Sequence, residues 1–300
     1  MMDPYPVIHI ENLTKYFGNV VGVESISFDV SKGEIFGFLG PNGAGKTTTI
    51  RLILDLLRPT SGKINIFGKE LSGNSVEIRK KCGYLPGNFS AYGNLTGMEF
   101  LQLCADLRNL PRKSDPGLLD RFDLASHNLS RKIKYLSHGT LQKLGIVQAF
   151  FHQPELLILD EPTIGLDPLM QEEFYNLLRE HQEKGCTIFL SSHNLAEVER
   201  ICLRMAIIRK GVIERTDSIL NLRKMLKKRL LFTLSRSSGD FQLTGAELLH
   251  RDGLSYEYII QEDIRGVMKQ LAELPLADLS IPEPGLEEIF INFYKDQEYD

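Results

Sequence analysis

From residue 7 to residue 30, apolar and polar positions alternate, which predicts β-strands with turns near Asn12 and Gly18. Residues 34–39 are a short apolar run and predict a buried strand. A Gly-rich turn follows, Gly40-Pro-Asn-Gly-Ala-Gly45, and then a helix over residues 46–57, closed by Pro59 and Gly62. Residues 88–151 are mainly helical in pattern, with breaks near Pro111 and Pro116. Residues 156–159 predict a second buried strand, running into Asp160-Glu161-Pro162. A helix over 169–184 stops at Gly185, and a third strand over 187–190 runs into Ser191-Ser192-His193. Polar residues at the carboxyl ends of buried strands mark where α/β sheets place ligand sites.

After Gly211 the texture changes. Arg223, Lys224, Lys227, Lys228 and Arg229 cluster on a predicted helix and read as its solvated face, with contact to anionic lipid or a partner as the alternative. Strands are predicted over 230–234, 255–260 and 277–281, a helix over 262–274, and a last helix over 286–294 after Pro282 and Pro284. A domain boundary is expected near 215–225, giving one domain over 1–218 and a smaller α+β domain over 219–300. No catalytic constellation stands out in the second, which reads as scaffold, dimer support or regulation.

Composition narrows the partners. The 300 residues carry 35 basic and 39 acidic side chains, a formal charge of −4, which argues against wholesale binding to nucleic acid. Mean hydropathy is −0.14, and no stretch approaches the roughly 18–20 apolar residues of a spanning helix. A membrane role therefore needs a separate subunit that crosses the bilayer. The first ten residues lack the basic start and apolar run of a signal peptide. Cys82, Cys104, Cys186 and Cys202 have neither metal-knuckle nor redox spacing and read as buried thiols of a reducing cytosol.

The strongest chemical signal is Gly40-x-x-x-x-Gly45-Lys46-Thr47, the P-loop pattern. A triphosphate needs many donors at close range. Gly43 and Gly45 let the backbone curl so that successive N–H groups face the phosphates, and the next helix adds its positive end. Lys46 is placed to reach the β- and γ-phosphates, and the Thr47 hydroxyl to ligate Mg²⁺. The dinucleotide fingerprint fails, because Gly43-Ala-Gly45 is followed by Thr48 where its third Gly belongs. The buried strand that delivers Asp160 matches the Walker B pattern, and Glu161 is placed to polarise an attacking water.

Between these motifs lies Leu136-Ser137-His138-Gly139-Thr140-Leu141-Gln142-Lys143, which resembles the Leu-Ser-Gly-Gly-Gln signature of the ATP-binding cassette (ABC) family. Gly165-Leu166-Asp167-Pro168 is similar to that family's D-loop, and His193 to its switch histidine. The whole chain is similar to ATPase subunits of multidrug and antibiotic exporters, including a C-terminal Pro284-Gly-Leu-Glu-Glu-Ile-Phe290. The resemblance implies an α/β fold, a P-loop NTPase of the ABC nucleotide-binding type with a helical subdomain over about 88–151. It also implies ATP and Mg²⁺ as ligands and a head-to-tail dimer, or a pair with a sibling subunit. That pair would dock under separate transmembrane permease subunits at the inner face of the cell membrane.

Carried over by position, Phe17 stacks on adenine. Gly40, Pro41, Asn42, Gly43, Ala44, Gly45, Lys46, Thr47 and Thr48 hold the phosphates. Thr47 and Asp160 hold Mg²⁺, Glu161 is the base and His193 meets the γ-phosphate. Ser137 and Gly139 close over the ATP of the partner protomer. The chain also departs from the family. Gly87 stands where Gln usually follows Tyr-Leu-Pro, with Asn88 as a candidate substitute, and His138 and Thr140 replace a Gly and the Gln of the signature. His138 reads as a surface or interface side chain, and Gln142 matches a second family glutamine. An active but slow ATPase is expected. The alternatives are a degenerate regulatory cassette, and a soluble ABC ATPase acting on ribosomes or DNA.

Overall fold

The computed structural model describes residues 6–110, 116–124, 129–225, 227–239, 241–261 and 264–282. The chain divides between Ser218 and Ile219 into two compact units.

In the first unit, β1 (Ile8–Phe17) and β2 (Val20–Val30) form the hairpin that alternation predicts, turning at Gly18. Asn12 is not a turn. Its φ of 48° and a register slip between Ile10 and Leu13 make it a bulge within one continuous strand. β3 (Ile35–Leu39) is buried at every position. Helix α1 (Lys46–Ile53) ends before the predicted Leu57, because Asp55 adopts φ 53° and the amides of Leu56 and Leu57 turn back onto the Arg51 carbonyl at 2.8 and 3.2 Å. Gly62 does not close the helix region. It lies inside β4 (Ser61–Ile66), where a Cβ would stand 2.4 Å from the Asn12 carbonyl oxygen at the bulge.

β5 (Lys69–Glu70), α2 (Ser75–Lys80) and β6 (Cys82–Leu85) follow in a stretch whose pattern predicted nothing. The helical stretch holds α3 (Gly97–Leu107), α4 (Pro116–Arg121), a 3-10 turn at Ile133–Tyr135 and α5 (His138–Phe150). The break expected near Pro111 lies outside the described residues. β7 (Leu156–Asp160), α6 (Pro168–Glu183), β8 (Thr187–Ser192), α7 (Leu195–Ile201), β9 (Arg204–Arg209) and β10 (Val212–Ser218) complete the unit.

One sheet has the antiparallel order β2-β1-β4-β5. The other has the order β10-β9-β3-β8-β7-β6, parallel except for β10. Burial explains the contrast in pattern. β3, β7 and β8 are covered on both faces and read as continuous apolar runs, whereas β2 buries alternate residues. Phe28 of β2 meets Phe36 and Phe38 of β3 and Phe189 of β8 at ring separations of 5.5–5.8 Å, joining the hairpin sheet to the parallel sheet.

The second unit begins with α8 (Ile219–Met225) and continues through β11 (Arg229–Leu234), β12 (Ala246–Asp252), β13 (Ser255–Ile260), α9 (Ile264–Ala272) and β14 (Leu276–Ser280). Its antiparallel sheet has the order β12-β13-β11-β14, and α9 packs Val267 and Leu271 against Leu230, Phe232, Tyr256 and Tyr258. The basic cluster is not one helical face. Arg223 and Lys224 lie on α8, Lys227 and Lys228 in the connection, and Arg229 opens β11 with a 2.8 Å ion pair to Glu257. The apolar alternation from Leu230 onward draws Arg229 into the strand. The expected final helix and the 284–290 motif lie outside the described residues.

Cys82, Cys186 and Cys202 are buried free thiols and Cys104 is half-buried, with burial pushing Cys82 and Cys186 up to about 12. Among the described residues no helix is long and apolar enough to cross a membrane. Phe189 is fully buried, 5.3 Å from Phe38 and 6.0 Å from Phe36. Phe189→Ala is expected to destabilise the protein by about 3–5 kcal/mol, read as a lower urea midpoint with an unchanged slope.

Candidate functional site

β3, β8 and β7 are neighbours, and their carboxyl ends lie side by side. Leu39 is in register with Ser192, and Ser191 with Asp160. Everything that leaves these three ends therefore converges on one edge of the sheet.

The turn after β3 is fixed by backbone crowding. The Gly40 amide donates to the Ser192 carbonyl at 3.2 Å, and a Cβ on Gly40 would stand 2.2 Å from the Ile208 carbonyl oxygen. Gly45 has φ 108°, and a Cβ there would stand 2.7 Å from the Gly22 carbonyl oxygen. Glycine is thus required at both ends of the loop. No side chain caps α1 at Gly45, so its first amides are left for a ligand.

A cavity of about 300 Å³ lies over this loop. It is lined by Phe17, Pro41, Asn42, Gly43, Gly45, Lys46, Thr47, Thr48 and Glu161, together with Val20, Val21 and Gly22. Phe17 is 46% exposed, and its ring fits because residue 22 has no Cβ, which would lie 2.8 Å from it. Gly40, Ala44 and Asp160 do not line the cavity. Ala44 and Asp160 are buried, Ala44 receiving the Gly211 amide at 2.9 Å.

Charge is concentrated in two adjoining clusters. The buried Lys46 ammonium donates to the carbonyls of Gly40 and Pro41 at 2.6 and 3.1 Å and pairs with Glu161 Oε1 at 3.0 Å. The other oxygen of Glu161 meets His193 Nδ1 at 2.7 Å. Glu161 has φ 49°, a strained position for a side chain of this size, and its amide is held by the Ser191 carbonyl and hydroxyl at 3.1 and 3.2 Å. In the second cluster, Thr47 Oγ1 donates to Asp160 Oδ2 at 2.7 Å, and Ser191 Oγ to Oδ1 at 2.5 Å.

The second cluster suits a small hard cation. Its donors are oxygens, and their spacing is near the roughly 3 Å between neighbouring oxygens around a cation with ~2.1 Å bonds. Among the described residues no group of three His, Cys, Asp or Glu side chains could enclose a metal. Magnesium tolerates this, because it keeps waters and takes further ligands from phosphates.

Ser137 and Gly139 do not line the cavity. Ser137 caps α5, accepting from the Thr140 amide at 3.2 Å and sharing a 2.8 Å hydrogen bond with the Thr140 hydroxyl. His138 is exposed yet packs over Gly165, where a Cβ would stand 2.5 Å from its Nδ1. Gln142 is buried and donates to the Pro162 carbonyl at 2.9 Å, behind Glu161. A Cβ on Gly87 would stand 3.1 Å from the Asp160 carbonyl oxygen and 3.4 Å from its carboxylate Oδ2, so residue 87 lies beside Asp160 without presenting a side chain to it. Nearby Tyr84 is pushed up to about 12 by burial and by the Asp160 charge.

Sequence reasoning missed the apolar wall of Val20 and Val21, the Ser191 bond to Asp160, and Glu197. Glu197 is 2% exposed and accepts from Ser192 Oγ at 2.5 Å. The serine pair was visible at the end of a buried strand, but its partners were not.

The family model described as ABC transporter matches residues 23–164. The bacitracin transport ATP-binding protein BcrA of Bacillus licheniformis is 34% identical over 294 residues, covering 95% of this chain and 96% of its own length. The linearmycin resistance ATP-binding protein LnrL of Bacillus subtilis is 32% identical, covering 95% and 97%. A solved ATP-binding subunit of an ABC transporter superposes with a TM-score of 0.68 at 34% identity, covering 73% of this chain and 92% of that one. A bacterial ABC transporter cassette solved as a dimer gives 0.66 at 25% identity, with coverages of 71% and 98%. The matches to BcrA and LnrL, each covering 95% of this chain, therefore extend into the second unit.

Ser191→Ala removes a donor from a carboxylate that is 2% exposed. The expected cost is about 1–3 kcal/mol, measured by chemical denaturation without magnesium or nucleotide.

Proposed function

The chain belongs to the ABC transporter family as an ATP-binding subunit, and from that premise we propose that it powers export through separate membrane-spanning subunits. It is an ATPase. The cargo class we favour is an antibiotic or drug, with a lipid or an ion next. The bacitracin and linearmycin relatives, matched along nearly their whole lengths, support that choice. The protein acts at the inner face of the cell membrane, docked on its permease through the helical region of residues 88–151.

One observation carries the catalytic reading: Lys46 and Glu161, which line the cavity, and His193, which does not, form a continuous contact chain beside the Thr47–Asp160 oxygen pair. ATP lies with adenine against Phe17 and its phosphates in the loop of residues 40–48. Lys46 gives up the Gly40 and Pro41 carbonyls and Glu161 for phosphate oxygens. Thr47 and Asp160 would hold magnesium, which would neutralise phosphate charge. Glu161, released from Lys46, accepts a proton from the water whose oxygen attacks the γ-phosphorus. The bond from that phosphorus to the bridging oxygen breaks, leaving ADP and phosphate. His193 holds Glu161 in place and meets the γ-phosphate.

Ser137 and Gly139 lie outside their own cavity, which supports a role on the ATP of a second protomer in a head-to-tail pair. With Lys46, Thr47, Asp160, Glu161 and His193 all gathered, the active reading is favoured over a degenerate one. Gly87 makes hydrolysis slow, because nothing from that position reaches toward water beside Asp160.

Glu161→Gln is expected to lower ATP turnover by about 10²–10⁴-fold while ATP binding persists, and to leave an ATP-bound dimer on size exclusion. Turnover at the parent rate would remove Glu161 as base. Co-purification of the tagged chain with a polytopic membrane protein tests the transporter reading. Recovery with ribosomes alone would overturn it.

A further inference from the structure

Glu197 is a buried carboxyl that the mechanism above does not use. It sits in the first turn of α7, three residues after Asn194, and is 2% exposed. Its Oε2 accepts from Ser192 Oγ at 2.5 Å, and the Thr163 hydroxyl lies beside the same carboxyl. Oε1 is buried without a hydrogen-bond partner among the described residues. Burial raises its pKa above the ordinary carboxylate value, which favours the neutral acid.

Two segments meet at this carboxyl. Ser192 precedes His193, and its hydroxyl also receives the Asn194 amide at 2.9 Å, closing the turn that carries the imidazole. Thr163 follows Glu161 by two residues, in the turn through which Glu161 leaves β7. Ser191 and Ser192 thus divide the work at one strand end: one holds Asp160 and the other reaches Glu197.

We propose that Glu197 is a positioning residue for hydrolysis, bracing the Ser192–Asn194 turn against the segment after Glu161 so that His193 and Glu161 keep their contact. The inference rests on the reading of Glu161 as base. Glu197 does not line the cavity over the loop, so its loss acts on the chemical step and spares binding. A glutamine side chain has nearly the shape of the Glu197 carboxyl, and its amide oxygen can accept from Ser192 as Oε2 does.

The test is steady-state ATP hydrolysis by the full chain as the dimer, comparing Glu197→Ala, Glu197→Gln, Ser192→Ala and the Ser192→Ala/Glu197→Ala double variant, with Glu161→Gln alongside. Glu197→Ala is expected to lower kcat by about 10–100-fold, with KM for ATP changed by less than about twofold. Glu197→Gln is expected to keep kcat within about threefold of the parent, and the double variant to be no more than about twofold below Glu197→Ala, because both remove one shared bond. Parent-level kcat in Glu197→Ala overturns the proposal. So does a Glu197→Gln as slow as Glu197→Ala, or losses that multiply in the double variant. If Glu197→Ala fails to fold, the Glu197→Gln and Ser192→Ala rates decide: Glu197→Gln near the parent with Ser192→Ala slowed sustains the proposal, and any other pairing overturns it. Parent-level turnover in Glu161→Gln would instead fault the assignment of the base, a separate failure.

Discussion

The parallel register of β3, β8 and β7 is the constraint on which the site depends. With Leu39 opposite Ser192 and Ser191 opposite Asp160, a loop, a carboxylate strand end and a histidine turn are brought to one edge. Side chains alternate along a strand, so a slip of one residue would turn Asp160 away from Thr47. The aromatic packing of Phe28, Phe36, Phe38 and Phe189 lies at β3 and β8, shares its core with Leu156 and Ile158 of β7, and resists such a slip. Chemistry at the rim is in this sense anchored by apolar contacts behind it.

Within that frame, charge is compensated before any ligand arrives. Lys46 is 6% exposed and is surrounded by two carbonyl oxygens and the Glu161 carboxylate. A buried ammonium without such partners would be strongly unfavourable. Glu161 is in turn shared with His193, so a movement of Lys46 or of the imidazole is felt by the other. A strained backbone at Glu161 persists because its amide has two acceptors on Ser191.

The parts of the site made by contiguous residues were legible in the sequence. The Gly40–Thr48 loop, Asp160-Glu161 and His193 announce themselves because phosphate binding and strand-end carboxylates demand particular residue types at short spacings. The fully buried strands were equally plain. Less legible were features set by distant backbone. Asn12 and Gly62 each read as breakers, yet they fit against one another as bulge and close approach inside two paired strands. The basic residues from Arg223 to Arg229 read as one helix, because charge density says nothing of where a helix gives way to a strand. Glu197 carried no signal in the sequence, since only the tertiary fold reveals that it is buried.

The imidazole seated over Gly165 ties the inheritance of two positions together. At φ 81°, residue 165 excludes most side chains but is a conformation that Asn can adopt. Here a Cβ would also meet His138 Nδ1 at 2.5 Å, so Asn at 165 requires the exposed imidazole to swing aside. Reducing residue 138 to a small side chain removes that requirement. Substitutions at this pair are therefore coupled: with the histidine lost first, 165 can vary freely, whereas in the reverse order the imidazole must leave its seat.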